Sequence, residues 1–457
     1  AESPQFEARL GTSEHGGLVP EARCHGRLNS LGKSVYSGRV DVVFPARMSS
    51  NDRADITLHH RHCASRPTLS FTIGNGEPYM LRLLLLISIP LCIANQNMAA
   101  EHRFFIGTYT RGDSISDGIY TAVFNDETGG ISEPVLAAET DNPSFLAIHP
   151  NGRFLFAVNE NNDYEGRPTG AVSAFRIDAD TGRLSLINQR ATEGGAPCHC
   201  VVDRQGRFLL IANYTGGNAI VFPISEDGSL GSYSCLINHT GSGPDPSRQE
   251  GPHAHSINLS SDNRYAYVAD LGIDRVMIYR FDPQEGLLVP GSPETAAVAP
   301  GGGPRHFCIH PSGRFAYTNH ELSAEVTMFH RDPASGGLTA RQTLSTLPAD
   351  FSGRKSTSEC LLNAAGTHLY VSNRGHESIA VYSVSPDDGE LTPVEIQNTG
   401  GEEPRNFNFD PSGKWLLAEN QNSDTIITFA VDPKTGRLTQ TDNHVKVGRP
   451  ICIRFLD

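Results

Sequence analysis

The sequence predicts an all-β fold, a seven-bladed β-propeller of four-stranded blades, on three observations. A strand–turn–strand unit recurs six times. Each copy is followed by a third apolar strand and a turn into a fourth. The two ends of the repeating region hold complementary parts of a seventh unit.

The unit is clearest in residues 302–321. Phe307 and Ile309 alternate with Cys308 and His310, Pro311-Ser312-Gly313-Arg314 supplies turn chemistry, and Phe315, Ala316 and Tyr317 resume the apolar run. Antiparallel pairing brings Arg305, His306, Asn319 and Glu321 to one edge and leaves the turn at the other. The copies are residues 142–160, 196–214, 253–270, 356–374 and 403–420. Third strands follow at 171–177, 219–224, 275–281, 326–329, 379–384 and 425–431. Turns such as Asp180-Thr181-Gly182-Arg183 and Pro433-Lys434-Thr435-Gly436 precede the fourth. The spacing of about fifty residues is that of propeller blades. Residues 104–109 read as a second strand with no first strand before it, with 118–124 and 131–139 as its third and fourth. Residues 448–455 read as a first strand with nothing after it. The C-terminal strand therefore joins the N-terminal blade, which closes the ring and removes sheet edges. An α/β barrel is excluded, because no helical period separates the strands.

Composition agrees. The 457 residues are 38% hydrophobic, with 45 Gly, 29 Pro and one Trp, a turn-rich chain able to bury a core. Net charge is −14 and Lys and Arg are scattered, so no nucleic-acid partner is expected. Of nine Cys, Cys198, Cys200, Cys308, Cys360 and Cys452 fall on first strands and read as small buried residues. Cys198-His199-Cys200 matches no structural zinc spacing, and neither metal nor cofactor is expected.

Residues 1–79 lack a sustained period and read as disordered, or as not part of the native protein. In them His59, His60 and His62 form a small cluster read as solvated loop. In residues 80–100, Met80-Leu81-Arg82 precedes an apolar run from Leu83 to Ile93, with small residues at Ala94 and Ala99-Ala100. That is the pattern of a secretory signal, too short for a comfortable membrane span. The expectation is a start at Met80, export to the periplasm or medium, no membrane span in the mature form, and a propeller over 101–457. An internal anchor helix is the alternative.

In a propeller the first strand of each blade lines the axis. The start of that strand and the loop after the second strand face one mouth. The register selects Ser144, Cys198, His255, Arg305, Ser358, Arg405 and Ile451 at the first position. At the second it selects Thr108-Tyr109, Asn159-Glu160, Asn213-Tyr214, Asp270, Asn319-Glu321, Asn373-Arg374 and Glu419-Asn420. Several guanidinium groups round one axis favour a small anion, and a His and a Glu in one bowl can move protons. Bland roles stand beside these: the Asn residues as turn caps, Glu321 as an ion-pair partner, and His253 and His255 as hydrogen-bonded channel lining. His149, His310, Arg153, Arg207, Arg264 and Arg314 belong to the far turns and read as structural or solvated.

Gly251-Pro252-His253-Ala254-His255-Ser256, Asp270-Leu271-Gly272-Ile273-Asp274-Arg275, Gly303-Pro304-Arg305-His306 and Asn319-His320-Glu321-Leu322 occur in that order. With them, residues 102–457 resemble the seven-bladed propeller lactonase family, which includes bacterial 6-phosphogluconolactonases and a muconate lactonizing enzyme. The resemblance implies lactone chemistry without a metal, with His255, Arg305, Glu321 and Arg374 as the active-site set. It offers His253 as a second candidate and implies a small anionic sugar lactone as substrate, to which His253 and, from the register at the same mouth, Arg405, Asn319, Asn213 and Asp270 are the expected contacts. On that reading His255, with Glu321, activates water. The family's sugar-phosphate activity is cytosolic, whereas the leader-like segment points outward, so an unphosphorylated aldonolactone is an equal expectation. A lactonizing cyclase and a non-enzymatic anion- or protein-binding propeller are the alternatives.

Overall fold

The computed structural model describes residues 100–456 and, before them, three short antiparallel pairs: Gly11–Thr12 with Leu18–Val19, Ala22–His25 with Ser37–Val40, and Ala54–Asp55 with Thr72–Ile73. The leader-like segment before Ala100, and the disorder expected over most of residues 1–79, lie outside the described residues.

From Glu101 the chain forms seven four-stranded antiparallel sheets. Blade one takes its innermost strand from the C-terminus: Pro450–Phe455 pairs with Glu101–Thr108, which continues to Gly118–Asn125 and Val135–Glu139. The innermost strands of blades two to seven are Phe145–Ile148, Pro197–Val202, Ala254–Leu259, Pro304–Ile309, Ser356–Leu362 and Pro404–Phe409. The second strand of each of blades two to seven is buried along nearly its whole length, on both faces. Leu155, Val158, Leu209, Ile211, Val268, Tyr317, Val371 and Leu417 are fully buried between adjacent blades.

One feature recurs at the start of the innermost strands. The pairing slips at Cys198, at His255, at Arg305-His306, at Ser358-Glu359, at Arg405 and at Ile451. Each slip is a β-bulge, an extra residue with no partner across the ladder. A bulge re-aims the side chains it carries, and among these are Cys198, His255, Arg305, Ser358, Arg405 and Ile451, the positions that the sequence register assigned to the mouth.

Candidate active site

Four of the predicted side chains meet at that mouth. Arg305 Nη1 donates both to His255 Nε2 and to Glu321 Oε2. Arg374 Nη2 lies 3.1 Å from the same Glu321 oxygen, and His255 Nε2 lies 3.7 Å from it. The other Glu321 oxygen accepts from Arg248 Nη2 at 2.6 Å. All but Arg248 are buried.

Glu321 thus sits in a cage of three guanidinium groups. Burial opposes its charge, but Arg374, Arg305 and the other cations hold its carboxyl well below the usual range. It is a fixed carboxylate with little basicity left. Burial lowers Arg374 to about 10, against the pull of Glu321, and it stays charged at neutral pH.

The hydrogen bonds assign the tautomer of His255. A guanidinium only donates, so Nε2 accepts from Arg305 and the ring proton rests on Nδ1, 3.6 Å from Cys198 Sγ. Burial and then Arg305 push this imidazole well below its ordinary range, so it is neutral. Cys198 is no thiolate nucleophile, because burial and then Glu160 hold its thiol well above the usual value. Its S–H reaches backbone oxygens, at 3.3 Å for that of His255.

Arg405 completes the bowl. Its Nη2 donates to Tyr109 Oη at 2.8 Å, and that hydroxyl donates to Glu160 at 2.6 Å. Arg405 makes no ion pair among the described residues, unlike Arg248, Arg305 and Arg374. A small cavity, ≈ 250 Å³ including space open to solvent, is lined by Glu160, Cys198, His255, Arg305, His306 and Arg405, among others.

Four other residues predicted as substrate contacts make hydrogen bonds within the protein. Asn213 Nδ2 is spent on Thr192 O and Asn218 Oδ1. Asn319 accepts from His306 N and donates to Thr357 Oγ1 and Ser358 O, which locks its own blade to blade six. Asp270 is fully buried, accepts from His253 N and Gly272 N, and pairs with His239 Nδ1 at 2.5 Å. Gly272 is forced here, since a Cβ would stand 1.9 Å from Gly251 O. His253 has Nδ1 3.0 Å from Tyr214 O and Nε2 3.3 Å from Glu250, and its ring stacks on Tyr214 behind the bowl. These residues build the loops that hold the site. Glu419, expected at the mouth, is instead sealed inside, with neither carboxylate oxygen hydrogen-bonded; burial drives its pKa well up.

Sequence reasoning missed Arg248, on the loop before blade four, because no strand register places a loop residue. It also missed Glu359, whose signal was an acid within an apolar innermost strand. Among the described residues no three His, Cys, Asp or Glu come together as metal ligands, and no helix is long and apolar enough to cross a membrane.

A family model described as Lactonase, 7-bladed beta-propeller matches residues 103–455. The 6-phosphogluconolactonase of Bacillus subtilis is 39% identical over 352 residues, 77% of this chain and 97% of that protein. The 6-phosphogluconolactonase of Formosa agariphila is 33% identical over 321 residues, 69% of this chain and 88% of that one. The solved structure of the periplasmic gluconolactonase of Pseudomonas aeruginosa superposes with a TM-score of 0.74 at 37% identity, over 78% of this chain and 99% of that chain.

Proposed function

Because the chain belongs to the lactonase family of seven-bladed β-propellers, we propose that it is a hydrolase that opens a sugar lactone, either 6-phosphogluconolactone or an unphosphorylated aldonolactone. The observation that carries this reading is Arg405, a half-buried cation without a carboxylate partner among the described residues, beside the His255–Arg305–Glu321–Arg374 cluster. Opening a lactone with water moves negative charge onto the carbonyl oxygen. Arg405 and Arg305 are donors for that oxyanion. Glu321 fixes Arg305, Arg374 and Arg248 in place, and His255 orients Arg305 by accepting from it. Arg374 and the rim residue Arg248 favour the anionic or hydroxyl-rich end of the substrate.

Acid release from glucono-δ-lactone and from 6-phosphogluconolactone, corrected for spontaneous opening, tests the reading. Arg405→Ala is expected to lose about 10²–10³-fold in kcat/KM on the preferred lactone, with Arg405→Lys between it and wild type. An Arg405→Ala protein as fast as wild type would remove Arg405 from the chemistry. Turnover of an unsaturated diacid instead would identify a cyclase, and saturable anion binding without turnover a binding module. The leader-like segment supports export, in keeping with the relative named as periplasmic, and favours the unphosphorylated substrate. N-terminal sequencing of the native protein tests that placement.

A further inference from the structure

We propose that His306, oriented by Glu359, is the group that takes and returns the proton during lactone opening. The proposal rests on the lactonase reading and deepens it. It starts from the fact that both nitrogens of His255 are engaged, Nε2 by Arg305 and Nδ1 by the Cys198 thiol. Glu321 is no better placed, since three guanidinium groups hold its oxygens.

His306 is built differently. It shares the blade-five bulge with Arg305. Its Nδ1 stands 2.7 Å from Glu359 Oε1, on the blade-six bulge. That carboxylate is itself fixed: Oε1 accepts from Cys360 N at 2.8 Å, and Oε2 from Asn406 Nδ2. A carboxylate at Nδ1 keeps the ring proton there and leaves the Nε2 lone pair free, the arrangement that makes an imidazole a directed base. Nε2 has no hydrogen-bond partner among the described residues.

The position is equally specific. His306 lines the site cavity with His255, Arg305 and Arg405. It also lines a second chamber, ≈ 1050 Å³ including open space, which runs past His199, Glu359 and Arg454 to the far turn at His149 and Pro150. It therefore stands at the junction of the two. Its ring lies edge-on to His255 at 5.7 Å, His199 at 5.5 Å and Phe145 at 6.0 Å.

Charged and titratable groups face it from several blades. They are Glu359 of blade six, Arg454 of the closing strand, His199 of blade three, His255 of blade four and Arg305 of its own strand. Burial lowers its pKa, Glu359 opposes that shift, and Arg305 and Arg454 add to it. Among these groups Glu359 alone makes His306 more basic.

The step balances. As the water oxygen bonds to the lactone carbonyl carbon, a water proton passes to His306 Nε2 and the carbonyl π pair moves to oxygen, facing the guanidinium donors. The tetrahedral anion collapses, the ring C–O bond breaks, and the departing ring oxygen takes the proton from Nε2. The new carboxylic acid gives its own proton to solvent.

The test is the low-pH limb of kcat/KM on the lactone that the wild-type protein turns over. In wild type the rate falls as His306 becomes protonated. His306→Asn is expected to lose about 10²–10⁴-fold and the limb with it. In Glu359→Gln the group that raises the His306 pKa is gone, so the limb moves to lower pH and the rate falls about tenfold. His255→Gln slows the reaction through Arg305 but keeps the limb. Imidazole added to His306→Ala restores turnover, a readout that a packing role would not move. A limb that disappears in His255→Gln and stays unmoved in His306→Asn and Glu359→Gln would overturn the proposal. So would a His306→Ala protein with the wild-type unfolding midpoint that imidazole does not rescue. Wild-type protein inert on every lactone would remove the lactonase reading as well, whereas active wild type with either result above removes His306 alone.

Discussion

At the scale of single residues, the site is an arrangement of charges that stabilise one another. Glu321 is the hub, because Arg248, Arg305 and Arg374 all turn toward it. Removing one member of a buried ion cluster leaves the others uncompensated, at a cost of about 3–5 kcal/mol. Glu321→Gln keeps the shape and removes the charge, so it is expected to destabilise by that amount in denaturant unfolding at neutral pH. The sign of the pH dependence follows from the direction of the shift. Its carboxyl is held below the ordinary 4.5, so the native state binds fewer protons than the unfolded chain in that window. The stabilisation is complete above about pH 4.5 and fades as pH falls through the folded value. The gap between wild type and variant should therefore narrow in acid; a gap constant from pH 7 to 3 would show that charge at Glu321 is not the cause. The sequence made Glu321, Arg305, Arg374 and His255 legible together, since strand register alone brings them to one mouth. It hid the hydrogen bonds that Asp270, Asn213, Asn319 and His253 make within the protein, because register tells which end a residue occupies and not which group its side chain finds.

At the scale of the element, two devices repeat from blade to blade. The first is the bulge at the start of the innermost strand, often preceded by strained backbone. Ala196, Glu403 and Arg449 have positive φ, and each is followed by proline; Gly303 before Pro304 takes the same conformation with φ 67. In the sequence these strands alternate normally, and an extra residue is invisible until its partner strand is known. Bulges were therefore not legible, although the side chains that they present were. The second device ties neighbouring blades. Tyr267, Tyr317 and Tyr370 each donate a buried hydroxyl to a glycine carbonyl in the next blade: Gly336, Gly389 and Gly436, all at 2.8 Å. Arg207, Arg264 and Arg314, read from sequence as structural or solvated, donate to Gln284, Pro333 and Pro386 carbonyls in the following turns. Tyr317→Phe leaves the Gly389 carbonyl without its donor in a buried seam. It is expected to cost about 1–2 kcal/mol and lower the melting temperature while leaving kcat/KM near wild type. An unchanged melting temperature would mean that the seam is held by packing alone.

At the scale of the whole molecule, the ring is legible in the sequence because it is periodic, and its closure because the period breaks in complementary ways at the two ends. The structure pairs Pro450 with Thr108 and Phe455 with Phe104, while Leu456 N donates to Arg103 O at 2.8 Å. Cys452 and Ile453 are fully buried, and Phe455 packs against Phe104 and Phe124 at 5.2 and 5.9 Å. The same strand carries Arg454, which lines the far chamber. Ending the chain at Gly448 would leave Glu101–Thr108 with a bare, apolar sheet edge and open blade one to its neighbours. The loss exceeds about 5 kcal/mol, a large part of what a domain has. The truncated chain should unfold without a cooperative transition and aggregate on size-exclusion chromatography. Strand loss must be separated from mere shortening, and the adjacency of Phe455 and Phe104 permits it. A circular permutant that joins residue 457 to residue 101 by a short Gly/Ser linker, with new termini in the exposed turn at Asp227, keeps every strand. It should elute as the full chain does, melt cooperatively and retain turnover. If the truncated chain instead matches the full chain in both melting and elution, the ring is stable as an open arc, and the closing strand serves only to place its own side chains on the axis.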